Sequence, residues 1–246
     1  MCDTQFQPGF THWGSFAQYV GLHYAERNVV KLPDGFSYER AASLGCRFTT
    51  AYRALVQLAE LRSGESLVVF GCGGVGLCAI LIARAIGARP LAVDIDPRKL
   101  ELAREVGAEV CIDAADGLDV ARRVVDLTAG GADVSIDALG SAVTLRQSLE
   151  SLRKRGRHVQ VGLLVGERAD PAVPMGRVIS NELQLFGSHW IAARTYPDVF
   201  DLIERKKIPL DRILGPRLRL DDVPVELPRI GQFQGLGIAL VDPHRV

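Results

Sequence analysis

The sequence predicts an α/β fold built around a parallel sheet, and two features of the pattern lead to this prediction. From Glu65 to about Ser188, short apolar runs alternate with amphipathic segments, as in successive βαβ units. Glycines follow the amphipathic segments, where helices commonly end. The predicted strands are SLVVFG, RPLAVDI, EVCIDA, DVSIDALG, RHVQVGLL and LQLFGS, and the predicted helices between them are GVGLCAILIARAIG, PRKLELAREVG, GLDVARRVVDLTAGG and SAVTLRQSLESLRKRG.

Weaker patterns flank this repeating unit on both sides. Alternation in residues 14–22 predicts a strand, and apolar spacing over residues 37–61 predicts two successive helices with Ser37 as N-cap. Farther along the chain we expect an amphipathic helix over 196–207, an irregular or helical piece over 220–230 and a strand over 235–241. One α/β domain with additional elements at both ends accounts for the whole pattern.

Composition narrows the class of protein. The 246 residues are 48% hydrophobic, enough for a substantial core, and 29 basic residues balance 29 acidic ones, which leaves no charge excess for nucleic acid or an anionic membrane. No apolar stretch is long enough to span a bilayer, and the N-terminus lacks the pattern of a secretion signal. The five cysteines follow no disulfide or zinc spacing. We therefore expect a cytoplasmic protein, without nucleic-acid or membrane partners, that acts on a small molecule.

A glycine-rich turn follows the first strand of the repeating unit. In VVFGCGGVGLCAI, Gly71, Gly73 and Gly76 have the spacing G-x-G-x-x-G between a strand and a helix. The first glycine permits a tight turn, the second lets a pyrophosphate approach the backbone, and the third allows close packing of helix on strand. With Gly74 at the start of the helix, they predict a dinucleotide-binding Rossmann fold, a doubly wound parallel sheet. Turns of this kind also arise from packing alone.

An acidic residue supports the dinucleotide interpretation. Asp94 ends the next predicted strand, 18 residues after Gly76, where a carboxylate accepts hydrogen bonds from an adenosine ribose. It would repel a 2′-phosphate, which favours NAD over NADP, although Arg98 and Lys99 lie nearby. We count Lys99 with the cofactor-binding residues, the alternative being a solvated helix lysine. The alternative for Asp94 is a strand end or a helix cap, a role that Asp96 fills well.

Several motifs, in their order along the chain, resemble one family. QPGFTHWGSFAQYV, VKLPDGFSYERAASLGCRFTTAYRAL, VFGCGGVGL, AVDID and RGRHVQVGL together resemble the zinc-containing alcohol dehydrogenases of the medium-chain dehydrogenase/reductase superfamily. The resemblance covers essentially the whole chain. It implies NAD-dependent oxidation of an alcohol to an aldehyde or ketone. It also implies an NAD-binding Rossmann domain over residues 47–190, with remnants of a GroES-like catalytic domain over residues 1–46 and 191–246.

The resemblance also assigns zinc ligands. It makes Cys46 the third ligand of a catalytic zinc and Cys2 the fourth ligand of a structural zinc, and it implies that the other ligands precede Met1. No G-H-E triplet and no C-x-x-C pair occurs in the chain. A single thiolate does not hold zinc, because an open catalytic site needs three protein ligands. We therefore expect an N-terminally truncated family member with incomplete zinc sites.

Further cofactor contacts follow from the same resemblance. It places Thr50 near the nicotinamide and Val75 against it, and it makes the backbone around Val161, Gly162 and Ser188 the contact of the carboxamide. Taken as bare residues, Thr50 would be a helix-face threonine and Val75 a core valine. The expected partners are a small alcohol or aldehyde and further copies of the chain, which relatives join edge to edge through a strand equivalent to residues 183–188.

Three functions are compatible with these observations. The first is a zinc-type, NAD-dependent alcohol dehydrogenase whose chain is truncated at its N-terminus. The second is a catalytically silent NAD-binding module or scaffold, which would bind NADH and oxidise no alcohol. The third is a zinc-free reductase of the same superfamily, which is the weakest of the three because such a protein needs no cysteine at the position of Cys46.

Overall fold

The computed structural model describes residues 3–115, 117, 119–166, 169–230 and 235–245. Cys2, to which the family resemblance assigns a structural zinc, lies outside the described residues. Among those described, no helix combines the length and the apolar character that a membrane crossing requires.

Six strands form one sheet: β1 (Ser66–Phe70), β2 (Arg89–Asp94), β3 (Val110–Asp113), β4 (Ala132–Asp137), β5 (Leu152–Gln160) and β6 (Gln184–Gly187). Their spatial order is β3-β2-β1-β4-β5-β6, and every neighbouring pair is parallel. This is the strand order of the Rossmann fold, in which ligands bind beyond the carboxyl ends of the strands where the order reverses, here between β1 and β4. The predicted fold class and all six predicted strands are confirmed.

Ten α-helices accompany the sheet in the described part of the chain. In chain order they are α1 (Ala25–Asn28), α2 (Tyr38–Ser43), α3 (Thr49–Tyr52), α4 (Gly74–Ile86), α5 (Pro97–Glu105), α6 (Val120–Leu127), α7 (Ala142–Glu150), α8 (Met175–Ser180), α9 (Tyr196–Lys206) and α10 (Val223–Ile230). Two π-helical turns, Leu44–Phe48 and Arg53–Leu58, connect and extend α2 and α3. A second, two-stranded parallel sheet pairs β7 (Leu214–Arg219) with β8 (Ile238–Asp242).

Helix caps and apolar strands explain why these elements form. The hydroxyl of Ser37 accepts a hydrogen bond from the N–H of Arg40, as its predicted N-cap role requires. All five residues of β1 are buried, because helices cover both faces of a parallel sheet. Gly87 ends α4 with a φ of +90°, a conformation that glycine adopts at little cost.

Two predictions of secondary structure are wrong. Residues 14–22 form no strand: no described strand pairs with them, and Tyr19 is 87% exposed. The helix predicted over residues 141–156 stops at Glu150, and β5 begins at Leu152. A bulge causes the early start, since Leu152 pairs with Ala132 whereas Val134 pairs with Arg157.

One large cluster of buried side chains joins the parts of the chain that the sequence divides into three domains. It contains Leu44 and Phe48 from the continuous helical segment 38–58, which we call the first helical run. It also contains Leu77 from α4, and Phe200 and Leu240 from the C-terminal elements. The boundaries at residues 46 and 190 therefore stay predictions, as does the assignment of both ends to a GroES-like remnant.

A buried histidine lies inside the nucleotide-binding half. The His158 ring on β5 is 1% exposed, and its Nδ1 lies 3.0 Å from the hydroxyls of Ser135 and Ser148. Its Nε2–H donates to Oε1 of Gln160, whose amide in turn donates to the carbonyl of Gly162. Burial lowers the pKa of His158 to about 4, against the weaker opposing effects of the Gln160 hydrogen bond and the Asp137 charge.

We expect this histidine to make stability depend on pH. Between pH 6.5 and 4 the unfolded chain binds a proton that the folded chain excludes, so the free energy of unfolding falls as pH falls, by about 3 kcal/mol in total. Above pH 6.5 the histidine is neutral in both the folded and the unfolded chain, so the full stability is present there. Urea unfolding of wild type and His158→Gln across this range measures it, and parallel pH curves for the two proteins would contradict it.

Candidate cofactor site

The glycine turn lies between β1 and α4, at the point where the strand order reverses. Gly71 has a φ of +92°, which favours glycine. A Cβ on Gly76 would lie against the carbonyl oxygen of Gly71, far inside the shortest contact that atoms tolerate. A Cβ on Gly73 would meet nothing within 4 Å. The three glycines thus have the distinct roles that the motif predicts: turn, open approach and close packing.

Asp94 binds this turn to the neighbouring strand. One carboxylate oxygen accepts the N–H of Cys72 at 2.7 Å, and the other accepts the N–H groups of Ile95 at 2.8 Å and Asp96 at 3.0 Å. Asp94 therefore has a structural role that the sequence analysis did not assign, beside the ribose contact that stays a prediction.

The two cations near Asp94 differ in environment: Arg98 forms a surface ion pair, and Lys99 is buried. The Arg98 guanidinium forms an ion pair with Asp96 at 2.7 Å, and its hydrogen bond is the main reason that the pKa of Asp96 falls to about 2. Asp96 also caps α5, accepting the N–H of Arg98. Lys99 is only 8% exposed, so it is not the solvated lysine of the alternative interpretation.

A cavity of about 500 Å³ opens beside these residues. Its lining includes Gly71 from the turn, Asp94 and Lys99 from the β2 end and α5, and Leu139 and Ser141 from the β4 end. The volume lies in the range of cavities that hold small-molecule ligands. The predicted phosphate turn and the predicted ribose residue therefore meet at one cavity.

A second cavity of about 270 Å³ lies next to the cysteine that the resemblance assigns to zinc; we call it the cysteine cavity. It is lined by Gly45, Cys46, Thr49, Thr50, Trp190, Ile191 and Tyr196. Cys46 is exposed in a π-helical turn, where Gly45 departs from helical geometry. Such turns occur frequently at functional sites.

Two buried hydroxyls, both at residues predicted to lie near the nicotinamide, lack hydrogen-bond partners in the described part of the chain. Oγ1 of Thr50 and Oγ of Ser188 are both buried without a partner in the described part of the chain, although the two residues are only 4% and 8% exposed. Buried polar atoms are normally paired, so an orphaned hydroxyl is consistent with a ligand that supplies the partner. Thr50 lines the cysteine cavity, and its place near the nicotinamide stays a prediction.

The backbone around Val161 is already partly engaged. The N–H groups of Val161 and Gly162 both donate to the carbonyl of Asp137, at 3.0 and 2.8 Å, and the carbonyl of Gly162 accepts from Gln160. Of the backbone N–H and carbonyl groups of Val161 and Gly162, only the Val161 carbonyl has no hydrogen-bond partner among the described residues. The predicted carboxamide contact at Val161 and Gly162 thus narrows to one carbonyl and stays a prediction.

Sequence reasoning missed Tyr196. Burial raises the pKa of its phenol, with a smaller rise from the charge of Cys46, while a hydrogen bond with Thr49 opposes both. The phenol therefore lies close to both residues in the cysteine cavity. The Pro197 that follows marks a helix start in the sequence, but no local signal indicates that the helix begins beside Cys46.

Cys46 does not form a metal site with other described residues. No group of three or more His, Cys, Asp or Glu side chains able to hold a metal occurs among them. Zinc needs at least three protein ligands, so the residues described do not fit a zinc ion.

Comparison with known proteins identifies the family. The family model described as zinc-binding dehydrogenase matches residues 74–205, more than half of the chain. This chain belongs to the zinc-binding dehydrogenase family. The resemblance inferred from the sequence motifs is thereby confirmed.

The relatives of this zinc-binding dehydrogenase include alcohol dehydrogenases. One from Geobacillus stearothermophilus is 28% identical over 98% of this chain and 69% of its own length. The (R,R)-butanediol dehydrogenase of Bacillus subtilis is 30% identical over 85% of this chain and 58% of its own length. A solved alcohol dehydrogenase from Thermus sp. ATN1 matches with a TM-score of 0.85 at 31% identity, over 96% of this chain and 69% of that chain. Two further curated relatives are covered over 57% of their length, so the match spans less than two thirds of most of these relatives.

The two glycines of the turn give a matched pair of variants. We expect Gly76→Ala to lower the free energy of unfolding by about 3 kcal/mol or more, because its methyl group would meet the backbone of Gly71. Gly73→Ala has open space and a φ of −77°, so we expect it to cost less than about 1 kcal/mol. Urea unfolding measures both, and equal losses would contradict this account of the turn.

Proposed function

We propose that this zinc-binding dehydrogenase binds NAD and forms the cofactor-binding part of an alcohol dehydrogenase that converts an alcohol to an aldehyde or ketone. The observation that carries the proposal is the glycine turn fastened by Asp94, with a ligand-sized cavity beside it. Bound NAD would supply the chemistry by accepting a hydride from the alcohol carbon. The names of the relatives support the substrate class.

The residues of the turn would hold the adenosine and phosphate half of the cofactor. The N–H groups of the first turn of α4 and its positive end favour an anion there. The carboxylate of Asp94 suits a ribose hydroxyl and would repel the 2′-phosphate of NADP. Arg98 is engaged with Asp96, which supports NAD over NADP.

The nicotinamide half would lie toward the cysteine cavity. The orphaned hydroxyls of Thr50 and Ser188 and the carbonyl of Val161 are the polar groups that would orient it. Val75, in the first turn of α4 and packed against the core, would contact the ring. An alcohol held in the cysteine cavity would then have its reacting carbon next to the ring.

The described residues do not supply a complete set of zinc ligands. We assign Cys46 as one ligand of the catalytic zinc on the strength of its motif, and Cys2, assigned as a structural ligand in the same way, lies outside the described residues. No group of three candidate ligands forms among the described residues, so no reaction step is derived through the metal. The same observation favours the second candidate, an NAD-binding module that oxidises no alcohol.

The first part of the test uses the chain as it is. We expect NADH to bind the purified protein with an increase in its fluorescence, to bind at least tenfold more tightly than NADPH, and to bind without stoichiometric zinc in a metal determination. The tenfold figure is an order of magnitude for one repelled phosphate. Failure of NADH to bind would reject the proposed function in both of its forms.

The second part separates the dehydrogenase from the silent module. We would join to this chain the part of the Geobacillus stearothermophilus relative that it does not match, and measure reduction of NAD with a primary alcohol and with (2R,3R)-butanediol. We expect turnover and bound zinc in the chimera, and loss of both in its Cys46→Ser variant. A folded chimera that binds NADH and zinc without turnover would favour the silent module.

The edge of the large sheet suits association with a second copy. β6 is an outer strand, and Gln184, Leu185 and Gly187 on it are exposed. Exposed edge strands pair readily with other strands. We propose a homo-oligomer joined through β6. Light scattering tests it: we expect the mass of two or more chains for wild type and a smaller mass for Leu185→Lys, while an unchanged mass would argue against this edge.

The cellular location belongs to the same proposal. Cys46, Cys72, Cys78 and Cys111 are all free thiols, which suits the reducing cytoplasm. Burial raises the pKa of Cys78 to about 12 and that of Cys72 further, so neither thiol ionises at neutral pH. Cell fractionation would test the cytoplasmic location.

A further inference from the structure

Arg47 lies across the first turn of α4. A Cβ built on Gly74 would meet Cδ of Arg47 at 2.5 Å and Nε at 2.8 Å, so the side chain occupies the space that any larger residue at position 74 would need. The Cα–Cβ bond of a helical residue tilts toward the N-terminus of its helix. The Arg47 side chain therefore lies at the N-terminal end of α4, beside the glycine turn.

The guanidinium of Arg47 has no partner in the part of the chain that the structure describes. It makes no hydrogen bond and no ion pair there, and it is only partly exposed. Other arginines of the fold are paired with carboxylates: Arg40 with Asp211, Arg89 with Glu109, Arg98 with Asp96 and Arg157 with Glu65. Arg47 has no carboxylate partner of this kind among the described residues.

Its position is electrostatically unfavourable without a ligand. The N-terminus of a helix carries a partial positive charge and favours anions, so a cation placed there is destabilised. The charge of Arg47 also reaches the body of α4, where it opposes the burial that raises the pKa of Cys78. An anion between the guanidinium and the helix end would turn the repulsion into two attractions.

A second observation points to a ligand on this side of α4. Thr50 lies one helical turn after Arg47, and its hydroxyl is buried without a partner beside the cysteine cavity. Arg47 and Thr50 belong to the same helical run, which packs on α4. An extended ligand that lies along this side would meet a cation at the glycine turn and a hydroxyl at the cysteine cavity.

We propose that Arg47 binds the pyrophosphate of the dinucleotide. This rests on the proposed function, because NAD is the ligand that spans the glycine turn and the cysteine cavity. The forked guanidinium suits a bidentate contact to phosphate oxygens, which a lysine ammonium does not reproduce. Arg47 is therefore a binding residue for the cofactor, and it adds a charged side chain to a turn that otherwise offers backbone groups.

The test measures NADH affinity by fluorescence titration at 50 and 200 mM salt for wild type, Arg47→Gln, Arg47→Lys and the control Arg205→Gln. Arg205 is an exposed arginine paired with Asp201 on α9. We expect Arg47→Gln to weaken NADH binding about tenfold or more and to reduce its salt dependence, since one charged contact to phosphate is lost. We expect an intermediate loss for Arg47→Lys and no change for the control.

Adenosine supplies a probe that carries no phosphate. We expect both Arg47 variants to bind adenosine as wild type does in calorimetry. Without ligand, we expect Arg47→Lys to unfold at the wild-type temperature and Arg47→Gln to unfold no lower than wild type, because it removes a cation from the helix N-terminus. Equal loss of adenosine and NADH affinity would mean a distorted site and would overturn the proposal. Wild-type NADH affinity in Arg47→Gln would overturn it too, while leaving the proposed function intact. Absence of NADH binding in wild type would reject the proposed function and this inference with it.

Discussion

The hydrogen bonds of the Asp94 carboxylate hold together the end of the sheet on which the candidate site depends. One oxygen binds the turn after β1 through Cys72, and the other binds the turn after β2 through Ile95 and Asp96. A buried carboxylate is tolerated because these N–H groups replace its hydration. The N-terminus of α4, the cavity of about 500 Å³ beside the turn and the start of α5 therefore keep one relative placement.

Much of this arrangement could be predicted from the sequence, because local contacts produce it. The buried apolar run of β1, the glycine spacing and the cap at Asp96 each depend on residues within a few positions of one another. The parallel order of the strands then follows from right-handed crossovers through the helices. For Asp94, the sequence motif predicts the ribose contact. It does not predict the hydrogen bond to Cys72, because that bond joins the ends of two different strands.

The features that could not be predicted depend on contacts between distant residues. The start of β5 at Leu152 depends on a bulge opposite Ala132, which no helical pattern over residues 141–156 reveals. Tyr196 meets Cys46 only because α9 packs beside the first helical run. The packing of Arg47 on Gly74 is of the same kind, since the motif analysis treats Gly74 as part of the turn and says nothing of what covers it.

The residues proposed for the cofactor and the residue proposed for the metal belong to different parts of this chain. The groups proposed for NAD extend from the turn after β1 to Ser188 after β6, and one sheet with its adjoining helical run positions them all. The metal would need Cys46 and at least two further ligands, and no group of three such side chains forms among the described residues. The orphaned hydroxyl of Thr50 lies where the two parts meet, in the cysteine cavity. On the proposed assignment, a cofactor would occupy its part of the site whether or not the metal is held, which makes the two properties separable by measurement.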